Sequence, residues 1–236
     1  MRPGQNSASG STLLFILNRF IDDDSWLIWQ LADSAFPAGG FAHSGGLEAA
    51  WQHGEVRDAA ELASFIESSL WQTASSMIPF LVAAHDDPPR LEQFDALCDA
   101  FLSNHVANRA SRLQGRAFWN SALRIFAPIE IANGQLGFYH FAPTFGAIAR
   151  ALRINRPAAA ELFLFQGLRG LVAAAVRLGI AGPMEGQSLQ HRLALRAREM
   201  LSLTEKRTVD EVASVAPLLE IWQGGHDRLY SRLFQT

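Results

Sequence analysis

Apolar residues recur along this chain at every third or fourth position with no sustained alternation, and that pattern predicts an all-α fold. Ser25 caps a short first helix, Trp26 to Ser34. A second runs from near His43 or Ser44 to His53 and stops at Gly54. Asp58, with Glu61 three residues on, makes a capping box for a long third helix. Its stripe is Leu62, Phe65, Ile66, Ser69, Thr73, Met77, Phe80, Leu81 and Ala84, with a kink at Pro79. Asp86-Asp87-Pro88-Pro89 is a breaker, after which Leu91, Phe94, Leu97, Cys98, Phe101, Leu102 and His105 repeat at helical spacing.

A fifth helix leads from Ser111 through Phe118 and Trp119 to Ile125. Gly115 lies inside it; a helical glycine costs roughly 1 kcal/mol relative to alanine, so it marks a close helix–helix approach. Residues 128–137 form a loop, and 138–146 open a short sixth helix to Leu152. Pro157 starts a seventh, apolar through Phe163, Phe165, Leu168, Leu171, Val172, Ala175 and Val176 and ended by Gly179, which reads as the central, buried helix. The eighth spans Gln187 to Leu203, with Arg192, Arg196 and Arg198 on its outer side. Thr208 and Glu211 repeat the capping box before Val212, and Gly224-Gly225 interrupts the last segment, leaving open whether the tail is helical or hinged. The expected architecture is a single-domain bundle of roughly nine to ten helices, with 1–24 a mobile leader, 25–223 the helical domain and 224–236 a separate tail.

One stretch resists reading as plain core or plain loop: Phe36 to Glu48 holds four glycines, a proline, a histidine and two phenylalanines in thirteen residues. Pro37 fixes its own φ and keeps Phe36 out of the α region; Gly39-Gly40 supply positive φ or close backbone approach, and Phe41 buries its ring before the next helix. The result is a packed elbow between two helices. A phosphate loop is the other reading of glycines ahead of a helix, but the P-loop lysine and Ser/Thr and a preceding strand are missing.

Hydrophobic residues at 49% and charged ones at 18% exclude a disordered chain, and 236 residues suffice for one large core. A net charge of −3 and a pI near 6.2 argue against binding nucleic acid or a membrane surface by bulk charge. Among the 20 basic residues only Lys206 is lysine. Arginine's rigid fork is favoured at interfaces, although a GC-rich genome produces the same bias. The single cysteine, Cys98, excludes an internal disulfide and any CxxC metal site and reads as a small core residue. The apolar run Leu13 to Leu17 is too short to span a membrane and no cleavage pattern follows it, so a cytoplasmic protein is expected.

Five stretches in order carry a family resemblance. They are Pro37 to Glu48 (with Gly39, Gly40, Phe41, His43, Ser44 and Gly46), Ser111-Arg112-Leu113-Gln114-Gly115, His140 to Gly146 (with Pro143 and Phe145), Ala175 to Pro183 (with Arg177, Gly179 and Gly182), and Ala216 to Phe234. Together they resemble the UreF family of urease accessory proteins. The resemblance implies a non-enzymatic, all-α assembly factor that forms a homodimer and binds the UreD/UreH-type accessory subunit largely through its C-terminal region. It implies recruitment of the UreG GTPase and docking on apo-urease, with GTP hydrolysis coupled to nickel delivery; nickel is then cargo, and no cofactor is tightly bound. His226, Leu229, Tyr230, Arg232, Leu233 and Phe234 become the partner-binding tail.

The residues by themselves agree in part. Histidines at 43, 53, 85, 105, 140, 191 and 226 show no i, i+3 or i+4 pair and no HExxH, although distant ones can meet in a fold. No GxSxG elbow occurs, and Glu48 reads as a helix-end carboxylate. Arg112, Arg177 and Arg232 each end an apolar segment, as a carboxylate fork inside the protein or, less favoured, a group offered to a GTPase partner. Leu229, Tyr230, Leu233 and Phe234 make an apolar tail that must find a surface, its own or a partner's. The rival class is a helical-bundle enzyme with a pocket around His43, Glu48 and His140.

Overall fold

Helix ends in this chain follow its capping side chains and its glycines. The computed structural model describes residues 25–131 and 136–236; the expected leader, 1–24, lies outside the described residues. Backbone contacts divide the chain after Phe36. In the first unit, α1 (Ser25–Ala32) ends two residues before the expected Ser34, and Trp26 packs edge-on against Trp29. The second unit, Pro37–Thr236, holds everything that follows.

There α2 (Leu47–Gln52) starts later than His43 because Gly45 and Gly46 take φ of 60° and 91°, outside the helical well. Asp58 caps α3 (Ala59–Ser76) by accepting from the amides of Ala60 and Glu61, while the Glu61 carboxylate turns back to Arg57 and leaves the box half made. The expected kink at Pro79 falls at Met77, a single residue in the right-handed helical region that joins α3 to α4 (Ile78–Asp86); Pro79 sits in the first turn of α4, where a missing N–H costs nothing. After a 3-10 turn at Pro88–Arg90 comes α5 (Leu91–Phe101). His105 does not continue it. Asn104 caps a new helix, α6 (His105–Ile125), through the amides of Val106 and Ala107.

Then come α7 (Phe141–Ala151), α8 (Arg156–Arg177, capped by Asn155) and α9 (Pro183–Thr204), which begins earlier than Gln187 because Pro183 suits a first turn. The Thr208–Glu211 box closes only a 3-10 turn, Val209–Glu211. The last helix, α10 (Pro217–Gly225), runs through both glycines before a turn at His226–Arg228 leads into an extended tail. Among the described residues there is no strand, and the fold is all-α.

The buried apolar helix is α7, not the segment after Pro157. Every residue from Phe141 to Ala149 is buried, whereas α8 buries one face (Leu162, Phe163, Leu164, Leu168, Val172) and exposes Gly167, Ala173 and Arg177. The sequence misleads because Phe165, Leu171 and Val176, though apolar, are only half-buried at the edge of the face that α8 packs inward. Around α7, Phe118, Phe141, Phe145 and Phe163 stack with centroids 5.0 to 5.6 Å apart, and burying each ring contributes about 1.5–3 kcal/mol. Glycines set the approach distances. A Cβ at Gly146 would lie 2.1 Å from the Leu81 carbonyl on α4, and one at Gly115 would lie 1.9 Å from the Tyr139 carbonyl. The close approach at Gly115 is thus to the loop that enters α7, not to another helix.

Candidate functional site

The glycine-rich elbow is closed by the far end of the chain. Gly39 takes φ 74°, turning Gly40–Ala42 into a 3-10 turn, and with Gly45 and Gly46 it exposes amides and carbonyls that no helix satisfies. The tail satisfies them: Ser44 N–H donates to the Thr236 carbonyl (2.6 Å), and Gln235 N–H to the Ala42 carbonyl (2.9 Å). Glu48, 2% exposed in the first turn of α2, accepts from Leu233 N–H (2.6 Å), Phe234 N–H (3.2 Å) and His226 Nε2 (3.1 Å). His226 is fully buried, and its Nδ1 has no partner among the described residues. His43 Nδ1 pairs with Thr236 Oγ1; burial first, then Arg109 and His226, pushes its pKa down to about 4.

Arg177 at the end of α8 completes this junction. Its guanidinium donates to the Phe41 carbonyl (2.6 Å) and lies 4.2 Å from the centre of the Phe234 ring. The expected carboxylate fork is therefore a carbonyl contact with ring stacking. Phe41 departs from expectation too: its ring is 74% exposed and only its carbonyl is used. Gly40 packs against Gln114, Ser121 Oγ donates to the Pro37 carbonyl, and Gly46 abuts Gln223, so α6 and α10 brace the elbow.

A second polar set closes the start of α7. Asp95 accepts the amides of Phe138, Tyr139 and His140 (2.7 to 3.0 Å), which holds Tyr139 at φ 65°. His140 Nε2–H donates to Asp99 (3.0 Å) and Nδ1 accepts from Ser111 Oγ (3.1 Å), which itself accepts from Phe141 N–H. Burial lowers the His140 pKa; burial opposes ionisation of Asp99, yet hydrogen bonds from Asn108 and His140 hold it below the usual carboxylate range. Ser111, His140 and Asp99 have the connectivity of a hydrolytic triad. The serine oxygen, however, is committed to a backbone amide and the imidazole is fully buried, so the set fixes a helix start. Pro143, Phe145 and Gly146 are core of the same helix.

The rival pocket needs His43, Glu48 and His140 in one place. His43 and Glu48 meet the tail, while His140 bonds Asp99 and Ser111, so the three are not brought together. Gly179 (φ 74°) ends α8 and Gly182 with Pro183 starts α9, both as chain punctuation. Cys98 is buried, and burial raises its thiol pKa far above the ordinary value.

The family model for UreF matches residues 56–194. The chain belongs to the UreF family. Similar proteins include "Urease accessory protein F" of Oryza sativa subsp. indica, 36% identical over 221 residues (89% of this chain, 85% of that one). The protein of the same name from Arabidopsis thaliana is 36% identical over 229 residues (93% and 95%), and "Urease accessory protein UreF" of Mesorhizobium japonicum is 30% identical over 213 (86% and 92%). The UreF match covers the bundle from the loop before α3 into α9; the elbow and the tail that closes it fall outside that span.

Of the expected tail residues, His226 and Phe234 are buried in the junction and Leu229 is half-buried, while Tyr230, Arg232 and Leu233 face outward. Arg232 approaches Asp227 at 3.5 Å, and Arg112 lies 5.2 Å from the centre of the Phe138 ring without reaching a carboxylate. The carboxylate fork that does exist is Arg109, whose two nitrogens hold Asp227 at 3.1 and 2.7 Å. Asp95, Asp99, Arg109, Arg116 and Asp227 were not singled out in the sequence. Arg109, Arg112 and Arg116 at i, i+3 and i+7 on one helix were the available signal.

Proposed function

We propose that this chain is an accessory factor in urease maturation that acts as an adaptor with no chemistry of its own. It docks the UreD/UreH-type subunit and, as a homodimer, recruits the UreG GTPase so that nickel, carried as cargo, reaches apo-urease in the cytoplasm. Membership of the UreF family supports the maturation role. The observation that carries the adaptor reading is the tail: Tyr230 is wholly exposed and Leu233 is 53% exposed, while their neighbours His226 and Phe234 are pinned in the interior. Bulky side chains held out by a fixed backbone lose little freedom on docking.

Replacing Tyr230 with Ala and Leu233 with Asp tests this. Both side chains point away from the core, so the stability stays within about 0.5 kcal/mol of the original while co-purification of the UreD/UreH-type subunit is lost. Undiminished capture by a normally folded double variant sinks the assignment.

A further inference from the structure

We infer that the open groove along the first half of α6 docks an acidic segment of a partner protein, gripped by the guanidinium forks of Arg112 and Arg116. The groove, about 690 Å³, is lined by Leu102, His105, Arg109, Arg112, Leu113 and Arg116 among others. The three arginines share one face of the helix. The first is already occupied: Arg109 and His105 both hold the Asp227 carboxylate, at 2.7 and 3.3 Å. That contact shows, within the molecule, which chemical group this row accepts.

The next two forks hold no carboxylate at contact distance, although Asp99 lies near enough to Arg112 to feel its charge. Among the described residues neither Arg112 nor Arg116 forms an ion pair; each has its guanidinium carbon over a ring, Arg112 at 5.2 Å from the centre of Phe138 and Arg116 at 4.8 Å from that of Tyr139. Stacking occupies the face of a guanidinium and leaves its N–H edge free for a carboxylate. The rings are fixed from beneath, since Asp95 holds the amides of Phe138 and Tyr139 and Trp119 packs edge-on against Tyr139. The forks are thus positioned before any ligand arrives, which reduces the ordering cost of binding.

The groove is more open than enclosed, suiting a chain segment better than a sealed small molecule, and Leu102 and half-exposed Leu113 offer an apolar residue beside the carboxylates a place to rest. A net charge of −3 makes this row a local exception and disfavours a long polyanion. As a partner contact the groove rests on the adaptor reading; its carboxylate chemistry stands independently.

The test uses the full chain and a fluorescein-labelled hexaglutamate peptide. Arg112→Gln with Arg116→Gln is expected to weaken peptide binding at least tenfold, while Arg192→Gln with Lys206→Gln, an equal charge change at exposed sites elsewhere, leaves it unchanged. Equal affinity in all three proteins overturns the proposal, as does tighter binding of inorganic phosphate or duplex DNA than of the peptide. Should the double variant fail to fold, Arg116→Gln alone, at an exposed residue, is expected to lose threefold, and no loss there overturns it equally. Purified UreG, UreD/UreH-type subunit and apo-urease are then offered to both proteins. Capture by the original and not by the double variant supports the partner contact, and equal capture by both overturns it. Capture by neither, with the peptide still discriminating, supports the groove and removes the adaptor reading.

Discussion

Glu48 Oε2 and His226 Nε2 lie 3.1 Å apart although the two residues are 178 positions apart in the chain, and neither side chain reaches solvent. The same carboxylate holds the amides of Leu233 and Phe234, so three donors depend on one acceptor. Glu48→Ala leaves all three unpaired, those of His226 and Phe234 buried, and is expected to cost about 3–5 kcal/mol. Glu48→Gln keeps one oxygen as acceptor and costs less. Urea unfolding, with limited proteolysis to report release of the tail, measures both; an unshifted midpoint for Glu48→Ala refutes the role given to it.

Acid weakens the junction through His43 before it reaches Asp99 and Asp227. The folded His43 pKa of about 4 lies below its ordinary 6.5, so as pH drops from about 6.5 to 4 the unfolded chain takes up a proton that the folded chain refuses. Stability is fully present above that window and falls across it, by at most about 3 kcal/mol for this residue. His140, also lowered by burial, acts in the same direction. Asp99 and Asp227 are held below the usual carboxylate range, and their contribution is lost only at still lower pH. His43→Gln is expected to flatten the decline in urea midpoint between about pH 6.5 and 5. A slope equal to that of the unaltered protein excludes His43 as its source.

Glycine substitutions separate contact from conformation. Gly115→Ala puts a methyl 1.9 Å from the Tyr139 carbonyl and Gly146→Ala one 2.1 Å from that of Leu81, backbone on both sides. Each is expected to cost about 3 kcal/mol or more. Gly167→Ala on the exposed face of α8 meets nothing within 4 Å and is expected to gain about 0.5–1 kcal/mol. Thermal melts settle the ordering, at about 2–4 °C per kcal/mol for a chain of this size.

Arg177→Ala removes one hydrogen bond to Phe41 and the stacking on Phe234, an expected loss of about 1–2 kcal/mol. Arg177→Lys restores the charge without the planar fork and is expected to recover part of it. A melting temperature untouched by either change assigns Arg177 a role outside the fold.

What the sequence made legible was local. Asp58 announces its cap, Pro88-Pro89 their break and Gly115 its close neighbour, because each acts within a few residues or through the absence of a side chain. Asn104 was equally readable but was hidden by an apolar repeat that runs across it from Leu91 to His105. The elbow stood out by composition, yet what closes it did not: Glu48 and the amide of Leu233 are 185 residues apart, and no periodicity links them. Tyr139 at φ 65° has no glycine to mark it, since the three amides held by Asp95 impose that conformation from another helix.

The order of synthesis gives the elbow's closure one further consequence. A nascent chain has made Pro37 to Glu48 long before residue 234 leaves the ribosome, and until then the acceptors at Ala42 and Glu48 have only water to bind. Contacts that close loops this long form late and slowly. The glycine-rich segment is therefore among the last parts of the molecule to be completed, its hydrogen-bonding groups left to water until the tail arrives.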